Sequence, residues 1–173
     1  MEKWNLYDRE GNLTERIHTR GQPLPENYYH LVVHIWLIDS HGRHLIQKRA
    51  KSLKSQPGCW AFTGGSAIVG ESSLQAVRRE TMEELNLKLP FKDLCFQTRL
   101  WRQSHFLDIW SSPIDAVFPK GFEPTTEVEA VTFKSTDEIL QMIDSQQFYS
   151  YPQDYLSLLH EKRKTINHQT NNE

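Results

Sequence analysis

Residues 65–87, GSAIVGESSLQAVRRETMEELNL, constrain this chain more than any other stretch. Near their end stand Glu80, Glu83 and Glu84. On a helix, offsets of three and four residues share a face, so the three carboxylates occupy an arc of roughly 100°. Like charges this close repel and raise one another's pKa. A hard divalent cation such as Mg²⁺ removes the conflict, because it takes oxygen ligands. An acidic helix face is otherwise ordinary solvated surface, and the residues upstream decide between the two. Ser72, with Gln75 three residues on, predicts a capping box and a helix from Ser73. Leu74, Val77, Thr81 and Leu85 form a mostly apolar stripe that can face a core. Arg79 lies one turn before Glu83 and can hold it. Asn86 falls where the helix should stop, and Asn is the residue that best replaces Gly in a left-handed cap. Gly64, Gly65 and Gly70 predict a loop able to turn sharply or approach a ligand closely.

This stretch resembles the Nudix box: Gly, five residues, Glu, seven residues, Arg-Glu, an aliphatic, any residue, Glu-Glu, any residue, Gly, an aliphatic. Gly65, Glu71, Arg79, Glu80, Glu83, Glu84 and Leu87 match at the required spacings. Thr81 replaces the aliphatic residue, which weakens packing of the stripe, and Asn86 replaces the Gly, which the capping argument tolerates. The segments LIQKRA, PGCW and TGG are similar to the branch containing isopentenyl-diphosphate isomerases and their hydrolase relatives.

Composition bounds the alternatives. A chain of 173 residues with 38% hydrophobic and 24% charged residues suits one soluble domain with a real core. A net charge of −2 argues against a partner such as duplex nucleic acid. No apolar run is long enough to span a bilayer, and the N-terminus lacks the apolar region of a signal peptide. The two cysteines, Cys59 and Cys95, lie outside any metal-ligand spacing. The expectation is a reduced, cytoplasmic protein.

Along the chain, residues 4–7 and 13–18 read as a small hairpin around Gly11, and residues 1–28 as an extension of the main domain. Residues 29–38 are the clearest strand: Leu31, Val33, Ile35 and Leu37 form a core face. His30, Val32, His34 and Trp36 form a face suited equally to a pocket wall or to packing under a helix. Residues 44–49 are the partner strand, ending in Lys48 and Arg49, cations able to bind phosphate oxygens. Residues 60–62 form a short strand, 94–102 and 104–110 two more, 113–124 a loop and 127–133 a last strand. Ser135 with Glu138 caps a helix to about Ile143, and Pro152 opens another to about Lys164. The polar end from Thr165 reads as disordered.

This order suits an α/β (α+β) fold. The resemblance, which covers residues 29–160, implies the same: an α/β/α sandwich with a mixed central sheet and a loop-helix-loop motif; residues 161–173 read as a polar tail from their composition. It implies a pyrophosphatase that uses Mg²⁺ or Mn²⁺ to cleave a diphosphate linkage in a nucleoside diphosphate derivative or other organic diphosphate. Glu80 and Glu84 would be the firmest metal ligands, and Glu83 a ligand or water-orienting group. Arg79 would hold a catalytic Glu in its rotamer, Glu71 would steady the loop, and the Gly65 backbone would face the metal. Glu127 and Glu129 are candidates for the general base. The implied partner is a small-molecule diphosphate, and a homodimer stays open. Two alternatives compete. One is an isomerase of isopentenyl diphosphate, although Thr63 and Gly64 stand where such enzymes carry a Cys. The other is a non-catalytic nucleotide sensor.

Overall fold

The structure, a computed structural model, describes residues 1–170, and the surroundings of side chains up to Glu161. Two compact units make up the chain, one of Met1–Trp36 with Thr63–Ser112, the other of Leu37–Phe62 with Pro113–Glu173.

The first unit begins with an antiparallel hairpin, β1 (Lys3–Tyr7) and β2 (Leu13–Thr19). Tyr7 and Tyr29 then bond each other's backbones at 2.8 and 3.0 Å, which joins the hairpin to the start of β3 (His30–Ile38). Of the glycines expected to form a loop before the helix, Gly70 lies in a turn, but Gly64 and Gly65 form a strand. Past β4 (His44–Arg49) and β5 (Trp60–Ala61), β6 (Thr63–Ser66) pairs antiparallel with β3, Gly64 opposite His34 and Gly65 opposite Val33. The reason is steric: a Cβ on Gly64 would run into the Val33 carbonyl and the His34 ring, so only glycine lets the strands approach. Helix α1 (Ser73–Leu85) starts and stops as the sequence predicts. Ser72 and Gln75 make the reciprocal capping box, and Asn86 takes the left-handed cap at φ 52°. Its buried face is Ala76, Val77, Thr81, Glu84 and Leu85. Thr81 keeps its place there by donating its hydroxyl to the Val77 carbonyl at 2.7 Å.

The strands β7 (Cys95–Trp101) and β8 (His105–Pro113) pair antiparallel, and β8 lies beside β3. The His30 N–H bonds the Ser104 carbonyl and the Ile114 N–H bonds the Ile38 carbonyl, so β3 and β8 run in the same direction and the sheet is mixed. The core of this unit contains Leu31, Val33, Ile35, Val77, Phe106 and Ile109. His30 and Trp36, on the other face of β3, are buried as well.

In the second unit β4 pairs with β5 on one side and with β9 (Val128–Lys134) on the other. Ser135 and Glu138 form the predicted capping box of α2 (Thr136–Asp144). Ile46, Ile139, Tyr155 and Leu159 are buried. The last helix, α3 (Gln153–Thr170), continues past the expected end near Lys164, since no Gly or Pro follows to stop it. The expected disorder from Thr165 is thus replaced by helix as far as Thr170, and residues 171–173 lie outside the described residues.

Candidate active site

Arg79 is the hub of the first unit's charged cluster. A guanidinium has five N–H donors, and each has a partner. Nε donates to Glu71 Oε1 at 2.7 Å and Nη2 to Glu71 Oε2 at 3.0 Å. Nη1 reaches Glu80 Oε1 at 2.9 Å and Glu83 Oε2 at 2.8 Å. The remaining Nη2 donor goes to the Ser66 carbonyl at 2.9 Å. Burial alone would lower the pKa of Arg79; the bonds it donates to Glu71 and the charges of Glu80 and Glu71 outweigh it and hold the pKa above its usual value. The guanidinium therefore stays charged and neutralises much of the repulsion among the carboxylates.

Each carboxylate has its own setting. Glu80 is mostly buried and lies over Gly65: a Cβ there would sit 2.5 Å from Glu80 Oε1 and 2.7 Å from Oε2. Glu83 is half-exposed. Glu84 is buried, and its Oε2 accepts the Gly64 N–H at 3.0 Å. Glu71 lies in the approach to the helix, where its Oε2 also accepts the Ile68 N–H at 3.0 Å. Among the described residues, no three His, Cys, Asp or Glu side chains already point at a common centre. Arg79 draws Glu80 and Glu83 toward itself, while Glu84 turns to β6.

The position of α1 is fixed from outside the motif as well. Trp110 Nε1 on β8 donates to Ser73 Oγ at 2.9 Å, which ties the first turn of α1 to the sheet. Sequence reading missed this bond, the Ser66 carbonyl and the Gly64 N–H, because each depends on strand pairing that no local pattern encodes. On the sheet itself, His34 sits opposite Gly64. Burial, then His105 and Arg102, push its pKa down to about 3, so the imidazole is neutral at ordinary pH.

The other sequence-predicted site residues belong to the second unit. Arg49 donates Nε and Nη2 to the Ser55 carbonyl, at 3.1 and 3.0 Å, which shapes its own loop. Lys48 Nζ is 4.0 Å from Glu129 Oε2 and lines a cleft of about 310 Å³ with Trp60, Cys59 and Gln147. Glu129 Oε1 also accepts the Lys51 N–H at 3.0 Å. Glu127 is exposed, and its backbone N–H bonds Thr125 Oγ1 at 3.3 Å.

Comparison with known proteins shows the family and the fold. Residues 28–165 match the NUDIX domain family. A Nudix hydrolase of Listeria innocua is 32% identical over 152 residues, covering 87% of this chain and 90% of that protein. The crystal structure of DR0079 from Deinococcus radiodurans superposes with a TM-score of 0.73 at 20% identity, over 92% of this chain and 98% of that one. The NUDIX domain of NrtR from Shewanella oneidensis, crystallised with ADP ribose, superposes with a TM-score of 0.57 at 17% identity, over 80% and 88% of the two chains. With the matching domain spanning most of its length and a full-length relative at this identity, the chain belongs to the Nudix hydrolase family.

Proposed function

We propose that the protein is a divalent-metal-dependent pyrophosphohydrolase that cleaves the P–O–P linkage of a nucleoside diphosphate derivative or other organic diphosphate by attack of water. The observation that carries this reading is the helix-borne set of Glu80, Glu83 and Glu84, with Arg79 bonded to two of them and to Glu71. The donors are all carboxylate oxygens, which suit Mg²⁺ or Mn²⁺. The missing side chain at Gly65 leaves room beside Glu80 that any Cβ would close.

Glu80, Glu83 and Glu84 would hold the metal, which when bound supplies charge neutralisation for the phosphates and a more acidic water. The chain's own residues do the positioning, and positioning with electrostatics is most of what phosphoryl transfer asks of a protein. Arg79 fixes the rotamers of Glu80 and Glu83 and offsets the repulsion between the two carboxylates. Glu84, with one oxygen on the Gly64 N–H, ties α1 to β6 beside the reacting groups. Glu83, half-exposed, can orient the attacking water and take its proton. Glu127 is the candidate base outside the helix, and Lys48 and Arg49 the candidate phosphate contacts. Nucleoside diphosphate derivatives head the substrate classes because a NUDIX domain of similar fold was crystallised with ADP ribose.

The test is a phosphate- and pyrophosphate-release screen over nucleoside triphosphates, nucleotide sugars, ADP-ribose, dinucleoside polyphosphates and prenyl diphosphates, with Mg²⁺ and with chelator. Turnover that needs the metal supports the reading. No product from any of them, or equal turnover in chelator, contradicts it.

A further inference from the structure

We propose that the N-terminal strand β1 is a positioning element of the active site: the Lys3 carbonyl pins the turn from which Glu71 holds Arg79. This rests on the reading of the Arg79 cluster given above. The Val69 N–H donates to the Lys3 carbonyl at 3.0 Å. Val69 is the second residue of the turn at 68–71, which the Glu71 N–H closes on the Ile68 carbonyl at 3.1 Å. Gly70 stands third with φ +85°, as a type II turn requires. Within that turn the Ile68 N–H bonds Glu71 Oε2, and Glu71 grips Arg79 with both oxygens. Hydrogen bonds thus run without a gap from the first strand to the guanidinium that fixes Glu80 and Glu83.

A brace must itself be held, and β1 is. Leu6 is 1% exposed. The Trp4 ring stacks on His30 at 4.1 Å and 12°. Trp4 Nε1 donates to Glu2 Oε1, and Arg20 Nη1 pairs with Glu2 Oε2, both at 2.7 Å. The charge of Arg79 acts on Glu2 as well: burial would raise its pKa, but the bonds from Trp4 and Arg20 and the charges of Arg20 and Arg79 keep it low.

Val69→Pro in the full chain isolates the link. Proline suits the second position of this turn and removes the N–H along with the valine side chain. Val69 is 40% exposed, so loss of its side chain costs little, and Val69→Ala is the matched control that keeps the donor. The readouts are amide hydrogen exchange at Ile68, the melting temperature, and kcat and KM with ADP-ribose and Mg²⁺ or the best substrate of the screen. Expected for Val69→Pro are faster exchange at Ile68, a near-wild-type melt, and kcat down about 10- to 100-fold at nearly constant KM; Val69→Ala matches wild type. Wild-type kcat in folded Val69→Pro, or an equal loss in Val69→Ala, overturns the proposal. If wild type turns over no diphosphate, the hydrolase reading fails, and the brace is judged by exchange alone: faster at Ile68 in Val69→Pro only upholds it, unchanged overturns it. Should Val69→Pro not fold, Trp4→Ala loosens β1 instead. Faster exchange of the Val69 N–H then supports the brace, and an unchanged rate overturns it.

Discussion

Arg79 grips Glu71 through two parallel hydrogen bonds of 2.7 and 3.0 Å, across eight residues of chain, joining the helix to the turn that precedes it. This bidentate pair is the clamp around which the other carboxylates are arranged. A lysine keeps the charge but has neither the planar fork nor five donors. Arg79→Lys is therefore expected to lower kcat by about 100-fold while the protein still folds, as measured by steady-state kinetics beside a thermal melt. Glu71→Gln should do less, since an amide oxygen can still accept one of the two bonds.

The adjacent glycines should separate stability from activity. A Cβ at Gly64 would meet the Val33 backbone, which cannot move aside, so Gly64→Ala is expected to destabilise by about 1–3 kcal/mol. A Cβ at Gly65 would first meet the far end of the Glu80 side chain, which can swing away. Gly65→Ala should melt within a few degrees of wild type yet lose at least about 10-fold in kcat. Denaturant melts and kinetics on the two variants check this crossed pattern.

Asp108 ties β8 to β7. It is 1% exposed and takes both Nε and Nη2 of Arg99, at 2.6 and 2.9 Å. Asp108→Asn removes the charge and one acceptor, and is expected to cost about 2 kcal/mol with KM and kcat of the surviving folded protein unchanged. Urea unfolding measures the loss.

Buried histidines set the acid limit of stability. His44 is fully buried, and burial, opposed only by the charge of Asp39, depresses its pKa to about 4. Burial does the same to His30 and His105, helped for His30 by His105 and His18, and for His105 by Arg102. Unfolded histidine titrates near 6.5. Between these values the unfolded chain binds more protons, so stability rises with pH there. The contribution is complete above about pH 6.5 and is lost as pH falls toward about 4. Urea melts from pH 7.5 to 4.5 should show that decline, and His44→Gln should make it shallower.

What could be read from the sequence follows from what is local. The capping pairs Ser72–Gln75 and Ser135–Glu138, the left-handed Asn86 and the buried Val77, Thr81 and Leu85 of α1 depend only on neighbours three or four residues away, and all are found; Leu74, expected on the same stripe, is only partly buried. The carboxylate face of α1 and the bond from Arg79 to Glu83 follow from the same spacing. Gly64 and Gly65 read as loop because the partner that makes them a strand, β3, lies some thirty residues earlier. The tie from Trp110 to Ser73 and the bond from Val69 to Lys3 are long-range, and no periodicity announces them. Lys48 and Arg49 show the converse limit: the sequence marks them as cations, but the guanidinium of Arg49 is engaged with its own loop at Ser55.

The most direct test of the central claim is the Mg²⁺-dependent rate of diphosphate cleavage in Glu84→Gln beside wild type, with thermal melts of both. The glutamine oxygen can still accept the Gly64 N–H, so the fold and its melting temperature should hold. Loss of one charged ligand should cut kcat by about 100-fold or more and shift the Mg²⁺ requirement upward. A folded Glu84→Gln variant with wild-type turnover at the same Mg²⁺ concentration would contradict the account.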